Sequence, residues 1–237
     1  MLFSYKDVRD FHLKFEVPMP SVPTLLNDEA YNFRLGFLQE ERDEYIDSVQ
    51  SGDFATAIDS LLDEVYVAVG TSLMMGVNPD QWEDIFMDST FNQKIMWDID
   101  WMTGHPLEGP RFLSDELYNK AVKLLQINLN SFVHNHYYGN IEGCTESMSQ
   151  QVLLCHNIAR HMGIGYAAWK ELWNDVQRAN LSKVRATSAE QSKRNSTLDV
   201  VKPVGWIPPD GEALITKFYG QNWKDHLHKH PYAEMTG

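Results

Sequence analysis

Between residues 29 and 49 apolar side chains recur at Leu35, Leu38, Tyr45 and Val49, the spacing of one helix face, while acidic residues share another. Ser51-Gly52-Asp53 predicts a turn. From about 55 to 75 the pattern is a stronger helix, with Leu61, Leu62, Val65, Val69 and Leu73, and Gly76 is suited to end it. Asn78-Pro79 predicts the N-cap and first residue of a short helix through Phe86. The same succession returns later, predicting helices near 114–136, 144–162 and 166–178. No stretch alternates apolar and polar residues as a run of strands does.

The return has a fixed register. A shift of 87 residues sets PTLLNDEAYN, starting at Pro23, on PRFLSDELYN, starting at Pro110. Without a gap it then pairs Leu38 with Leu125, Gly52 with Gly139, Val65 with Val152, Gly76 with Gly163 and Trp82 with Trp169. Helical patterning aligns apolar positions, but not Pro, Gly and Trp as well, so a duplication explains the match. The expected fold is all-α, with tandemly duplicated helical hairpins forming a pseudo-dimeric bundle and an irregular C-terminal tail. The divisions are an N-terminal arm at 1–22, a first repeat at 23–88, a connection at 89–109, a second repeat at 110–184, and a loop and tail at 185–237. Trp97 and Trp101 suggest that the connection packs on something. The polar run at 185–197 reads as a mobile loop. In KPVGWIPPD at 202–210, Trp206 suggests a docked segment. His226, His228 and His230 read as a solvated tail rather than a metal site.

Composition narrows the chemistry. The chain has 237 residues, 43% apolar and 22% charged, ordinary for a folded protein with a sizeable core. No apolar run approaches a membrane span and the N-terminus lacks the apolar core of a signal peptide, so no membrane partner and a cytoplasmic location are expected. Two cysteines, Cys144 and Cys155, are too few for a disulfide scaffold. A net charge of −13 argues against nucleic acid as a partner. It leaves room for a phosphorylated ligand bridged to carboxylates by divalent cations.

Carboxylates are concentrated in the first repeat. Glu40, Glu41 and Glu44 lie on one predicted helix, at spacings that put Glu44 on the same face as both others. Asp59 and Asp63, four apart, lie on the next. The tight turn makes the two helices antiparallel neighbours, so four or five carboxylates can meet. Like charges so close raise one another's pKa unless cations intervene, and Mg2+ or Mn2+ prefers such oxygen ligands. In the second repeat the aligned positions are Ile127, Asn128, Ser131, Glu146 and Gln150, so the frame persists while most of the acids do not.

The run FLQEERDEYIDSV followed by AIDSLLDEVYVAVGTSLMMGV resembles the all-α nucleoside triphosphate pyrophosphohydrolases of the MazG type, whose signature is ExxE followed by an ExxD-like helix. Glu41-x-x-Glu44 matches the first half. In the second half Ser60 stands where Glu is wanted and Asp59 supplies the acid one place earlier. DVRDFHLKF, RANLSKV and KPVGWIPPD are similar to segments of phage-type members.

The resemblance implies hydrolysis of a nucleoside triphosphate, ribo or deoxy, between the α and β phosphates to give monophosphate and pyrophosphate. It implies Glu41, Glu44, Asp59 and Asp63 as ligands of Mg2+ or Mn2+, and Glu40 or Glu41 as the group that orients or deprotonates the attacking water. Asn180, Lys183 and Lys202 are the candidates for sugar or phosphate contacts. No motif fixes the base. An all-α dimeric-type dUTP pyrophosphatase is the alternative enzyme, and an inactive nucleotide-binding or interaction protein the alternative of another class. Pairing of two-hairpin chains favours a homodimer.

Overall fold

The computed structural model describes residues 2–97, 109–194 and 196–227, of which the side chains at 2, 3 and 89–97 are left undescribed. Trp101, His228 and His230 lie outside the described residues, as does the side chain of Trp97. The described chain is all-α, apart from one small two-stranded ladder. Its helices are α1 (Leu2–Lys14), α2 (Asp28–Ser51), α3 (Phe54–Met74), α4 (Pro79–Trp97), α5 (Asp115–Tyr137), α6 (Ile141–His161), α7 (Tyr166–Leu181) and α8 (Gly211–Tyr219). The strands are β1 (Val184–Arg185) and β2 (Val200–Val201). Among the described residues no helix is long and apolar enough to cross a membrane.

Capping residues set the helix ends, and they recur at the offset of 87. The Asn27 side chain accepts from the Ala30 amide at the start of α2, and Ser114 accepts from Leu117 at the start of α5. Gly52 and Gly139, at φ 77° and 74°, supply the left-handed residue after the first helix of each hairpin. Asp53 and Asn140 then cap α3 and α6 with nearly the same backbone, φ −87°, ψ 87° and φ −90°, ψ 89°. The chain entering each hairpin is pinned alike: the Thr24 amide donates to Met75 O at 2.8 Å, and the Arg111 amide to Met162 O at 2.9 Å.

α2 pairs with α3 and α5 with α6, and α3 packs on α6 at the centre, while α4 lies on α6 and α7 on α3. Contacts between the hairpins are reciprocal. Tyr31 meets Phe132 at 5.9 Å between ring centroids, and their equivalents, Tyr118 and Tyr45, meet at 6.5 Å. Gln151 Nε2 donates at 2.6 Å to Oε1 of Glu64, its own equivalent in the first hairpin. Exchange of partners under one shift, with a position touching its counterpart, is how a two-fold arrangement contacts itself. Each amphipathic hairpin buries its apolar face on the other.

Several expectations are corrected. The N-terminal arm is largely helix: α1 packs on α3, burying Tyr5, Val8 and His12. The helix begun by Asn78-Pro79 runs on to Trp97 instead of stopping near Phe86, so it enters the expected connection. Residues 185–197 are not a loose loop where described. β1 pairs antiparallel with β2, Val184 opposite Val201 and Arg185 opposite Val200, and a 3₁₀ turn at Ala189–Gln191 lies between them. The C-terminal segment is less irregular than expected, because Asp210 caps α8 and a 3₁₀ turn, Trp223–His226, buries Trp223 against Phe54. Trp206 docks as expected, its Nε1 donating to Ala179 O at 2.9 Å.

Candidate active site

The tight turn at Gly52 puts α2 and α3 side by side, and between them opens a cavity of about 350 Å³. From α2 it takes Arg34, Phe37, Glu40, Glu41 and Glu44, which follow one another along a broad face over three turns; from α3 it takes Asp63, Tyr66 and Val67. Phe11 and His12 of α1 close one end. Asn180 and Lys183, at the end of α7, and Lys202, after β2, line another part of the wall. Seven of the eight side chains singled out in the sequence therefore meet at one cavity. The exception is Asp59, which lines a shallow cleft beside Asp175 and Gly211 instead. The expected four-acid set thus places three of its members on the cavity wall.

Burial governs the charges. Glu41 is 5% exposed, and its Oε2 has no hydrogen-bond partner. Its pKa is pushed far above the usual carboxylate range, first by burial and then by Asp63, Glu44, Glu64 and Glu40. Burial also raises Asp63, against the pull of Lys183 and with a further rise from Glu44. Asp59 is raised by burial and by Asp63 and Glu44, so it shares the acidic field without facing the cavity. Lys183 is pulled below the usual lysine range by its own burial, which Asp63 opposes. Lys202 and Lys183 stand over the Trp206 ring, 4.5 and 5.8 Å from its centre. That docked tryptophan keeps both ammonium groups on the cavity side.

The segment between the strands reaches the acids. Arg194 Nη2 pairs with Glu40 Oε2 at 2.7 Å and Nη1 with Asp199 Oδ2 at 3.2 Å, while the guanidinium lies 3.6 Å from the Phe37 ring centre. Ser192 Oγ donates to the same Asp199 oxygen at 2.7 Å. Sequence reasoning missed Arg194 because a polar run carries no periodicity. It also missed His12 and Arg34. The available signals were the seven-residue step from Arg34 to Glu41, which puts both on one helix face, and the glycine inside α3 at Gly70. A Cβ there would lie 2.7 Å from Arg34 Nη2 and 3.1 Å from His12 Nε2, so this glycine makes room for both side chains.

A metal finds suitable donors but no preformed cage. The hard carboxylate oxygens of Glu41, Glu44 and Asp63, with one buried oxygen lacking any partner, have the chemistry that Mg2+ or Mn2+ requires. Among the described residues, however, no three His, Cys, Asp or Glu side chains already converge on a point that would hold an ion.

Residues 8–90 match the family PRA-PH, phosphoribosyl-ATP pyrophosphohydrolase. The match indicates a pyrophosphohydrolase domain, acting on phosphoric anhydrides, over that stretch, which includes α2, α3 and the acids Glu40, Glu41, Glu44, Asp59 and Asp63, but not Asp199. It ends before α5. No curated protein and no solved structure matches the chain.

Proposed function

We propose that the chain hydrolyses a nucleoside triphosphate, ribo or deoxy, at the bond between the α and β phosphates, releasing monophosphate and pyrophosphate. One observation carries the reading: Glu41, buried with an oxygen that has no partner, and the half-buried Asp63 share one cavity with Lys183, Lys202 and Arg194. Isolated acids in that position would be costly. An anionic substrate accompanied by a divalent cation answers both sets of charge.

Glu41, Glu44 and Asp63 would hold Mg2+ or Mn2+, with Asp59 adding negative field from behind. Bound there, the cation supplies counter-charge for the phosphate oxygens and makes a nearby water more acidic. Lys183 and Lys202 bind the phosphate chain and stabilise charge as it shifts to the leaving pyrophosphate. Glu40 already gives an oxygen to Arg194, whereas Glu41 Oε2 is unengaged, so Glu41 is the better placed to orient the attacking water and take its proton. Asn180, 7% exposed on the same wall, is placed for the sugar or a phosphate oxygen.

Hydrolysis in 18O-labelled water tests the bond broken. The label should appear in the monophosphate; label confined to pyrophosphate or inorganic phosphate would refute attack at the α phosphorus.

A further inference from the structure

The wall of the cavity is divided along α2. Glu41 and Arg34 are seven residues apart, so at 1.5 Å per residue they sit about 10 Å apart along the helix axis. Around Glu41 are acids and lysines. Around Arg34 the wall is aromatic: Phe37 lies one turn from it on α2, and Phe11 stands edge-on to Tyr66 at 5.4 Å. A nucleotide with its phosphates at the acidic end has its base at this aromatic one.

Arg34 is held there with unusual care. It is 7% exposed, its Nε donates to Thr71 Oγ1 at 2.9 Å, and Nη2 donates to Val67 O. Thr71 in turn donates to the same Val67 oxygen at 2.9 Å, so the guanidinium plane is fixed from one side. Among the described residues no carboxylate pairs with it, and burial together with the Arg194 charge brings its pKa down to about 9. It remains a cation at neutral pH, with N–H groups on Nη1 and Nη2 left over. Beside it His12 is 2% exposed, and its Nδ1 has no partner. Burial and the Arg34 charge lower the His12 pKa to about 3, so the ring is neutral, with one donor and one acceptor nitrogen. The interior glycine of α3 gives both groups their space.

Building on the pyrophosphohydrolase reading, we infer that Arg34, with His12 beside it, reads the base, selecting one that offers two adjacent acceptors on an edge. Guanine offers O6 and N7, and cytosine offers O2 and N3. Each also has a donor next to that pair, N1–H or the N4 amino group, within the repertoire of a neutral imidazole. Adenine sets its amino donor next to each neighbouring ring acceptor, and thymine and uracil place N3–H between their carbonyls, so none of these presents the pair. A bidentate arginine contact discriminates by roughly tenfold or more.

The test is equilibrium binding of the four α,β-imido deoxynucleoside triphosphates to the full chain with Mg2+, alongside hydrolysis of the four natural ones. The guanine or the cytosine analogue should bind at least about tenfold tighter than the adenine and thymine analogues, and the tighter of the two identifies the source. A guanine preference must also weaken with 7-deazaguanine. In Arg34→Lys, shown folded by its melting transition, the four affinities should draw level. Equal affinities in the wild-type chain overturn the inference, and if all four triphosphates are still cleaved the catalytic reading stands. A base preference without cleavage supports the inference and overturns that reading.

Discussion

The two hairpins share a frame and differ in what the frame presents. At the offset of 87 the caps at Asn27 and Ser114, the turns at Gly52 and Gly139, and the ends at Gly76 and Gly163 match position for position. Where α2 and α3 carry Arg34, Glu41, Glu44 and Asp63, α5 and α6 carry Ala121, Asn128, Ser131 and Gln150. Glu41 and Asn128 are equally buried, at 5% and 6%. Burial at this position is thus a property of the frame, whereas the charge at these four positions belongs to the first hairpin. Packing residues are held in both halves because each hairpin needs the other's apolar face; the chemistry needs only one set of acids, and the second hairpin carries neutral groups that cost less to bury.

The sharpest way to break this comparison is to neutralise one side and charge the other. Glu41→Gln and Asp63→Asn should each lower turnover by about 10²–10⁴-fold or more, with unchanged helical circular dichroism. Asn128→Asp, at the position equivalent to Glu41, should leave turnover within about twofold, because the second hairpin lacks the accompanying acids and the lysine wall. Near-normal activity in both first-hairpin variants would contradict the assignment.

The frame itself predicts a smaller, graded effect. Gly76 and Gly163 both hold positive φ, 76° and 89°, but an added Cβ at Gly163 would lie 1.8 Å from Gly109 O, against 2.7 Å from Pro20 O at Gly76. Gly163→Ala should lose roughly 1–3 kcal/mol in denaturant melts, and Gly76→Ala less. Equal losses would mean that the two ends are not held with different tightness.

A third prediction concerns the pair on the pseudo-axis. Buried Glu64 has its pKa raised to about 8, although the Gln151 amide that donates to it pulls the other way. Between its ordinary pKa of 4.5 and about 8 the folded chain keeps a proton that the unfolded chain releases, so stability falls as pH rises through that window. Glu64→Gln should flatten that fall and raise stability at pH 8 by roughly 1–3 kcal/mol. The raised pKa values of Glu41 and Asp63 have the same sign, so Mg2+ should raise Tm more at pH 8 than at pH 5. A Tm shift independent of pH would contradict a carboxylate site.

How much of this was legible in the sequence follows from what each feature depends on. Helix ends depend on local signals, so Gly52 and Gly76 marked where α2 and α3 stop, and Asn78-Pro79 where α4 begins. The register of 87 gave the symmetry, since Gly and Trp recur as well as apolar residues. The acids on α2 and α3 could be joined because one tight turn links their helices. What escaped depends on distant contacts. Nothing local ties Arg194 to Glu40 and Phe37, more than 150 residues earlier, or brings His12 of α1 against Arg34. Asp59 divides between the two: its spacing from Asp63 gave their electrostatic coupling, whereas the cleft it lines with Gly211 and Leu214 of α8 depends on distant contacts.

We expect the chain to hold one metal-dependent site, in the first hairpin. Crystals grown with Mn2+ and an α,β-imido nucleoside triphosphate, measured at the manganese absorption edge, test it most directly. Anomalous density is expected among Glu41, Glu44 and Asp63, with the phosphates against Lys183 and Lys202. Manganese beside Asn128 and Gln150, or bound triphosphate with no metal near Glu41, would contradict it.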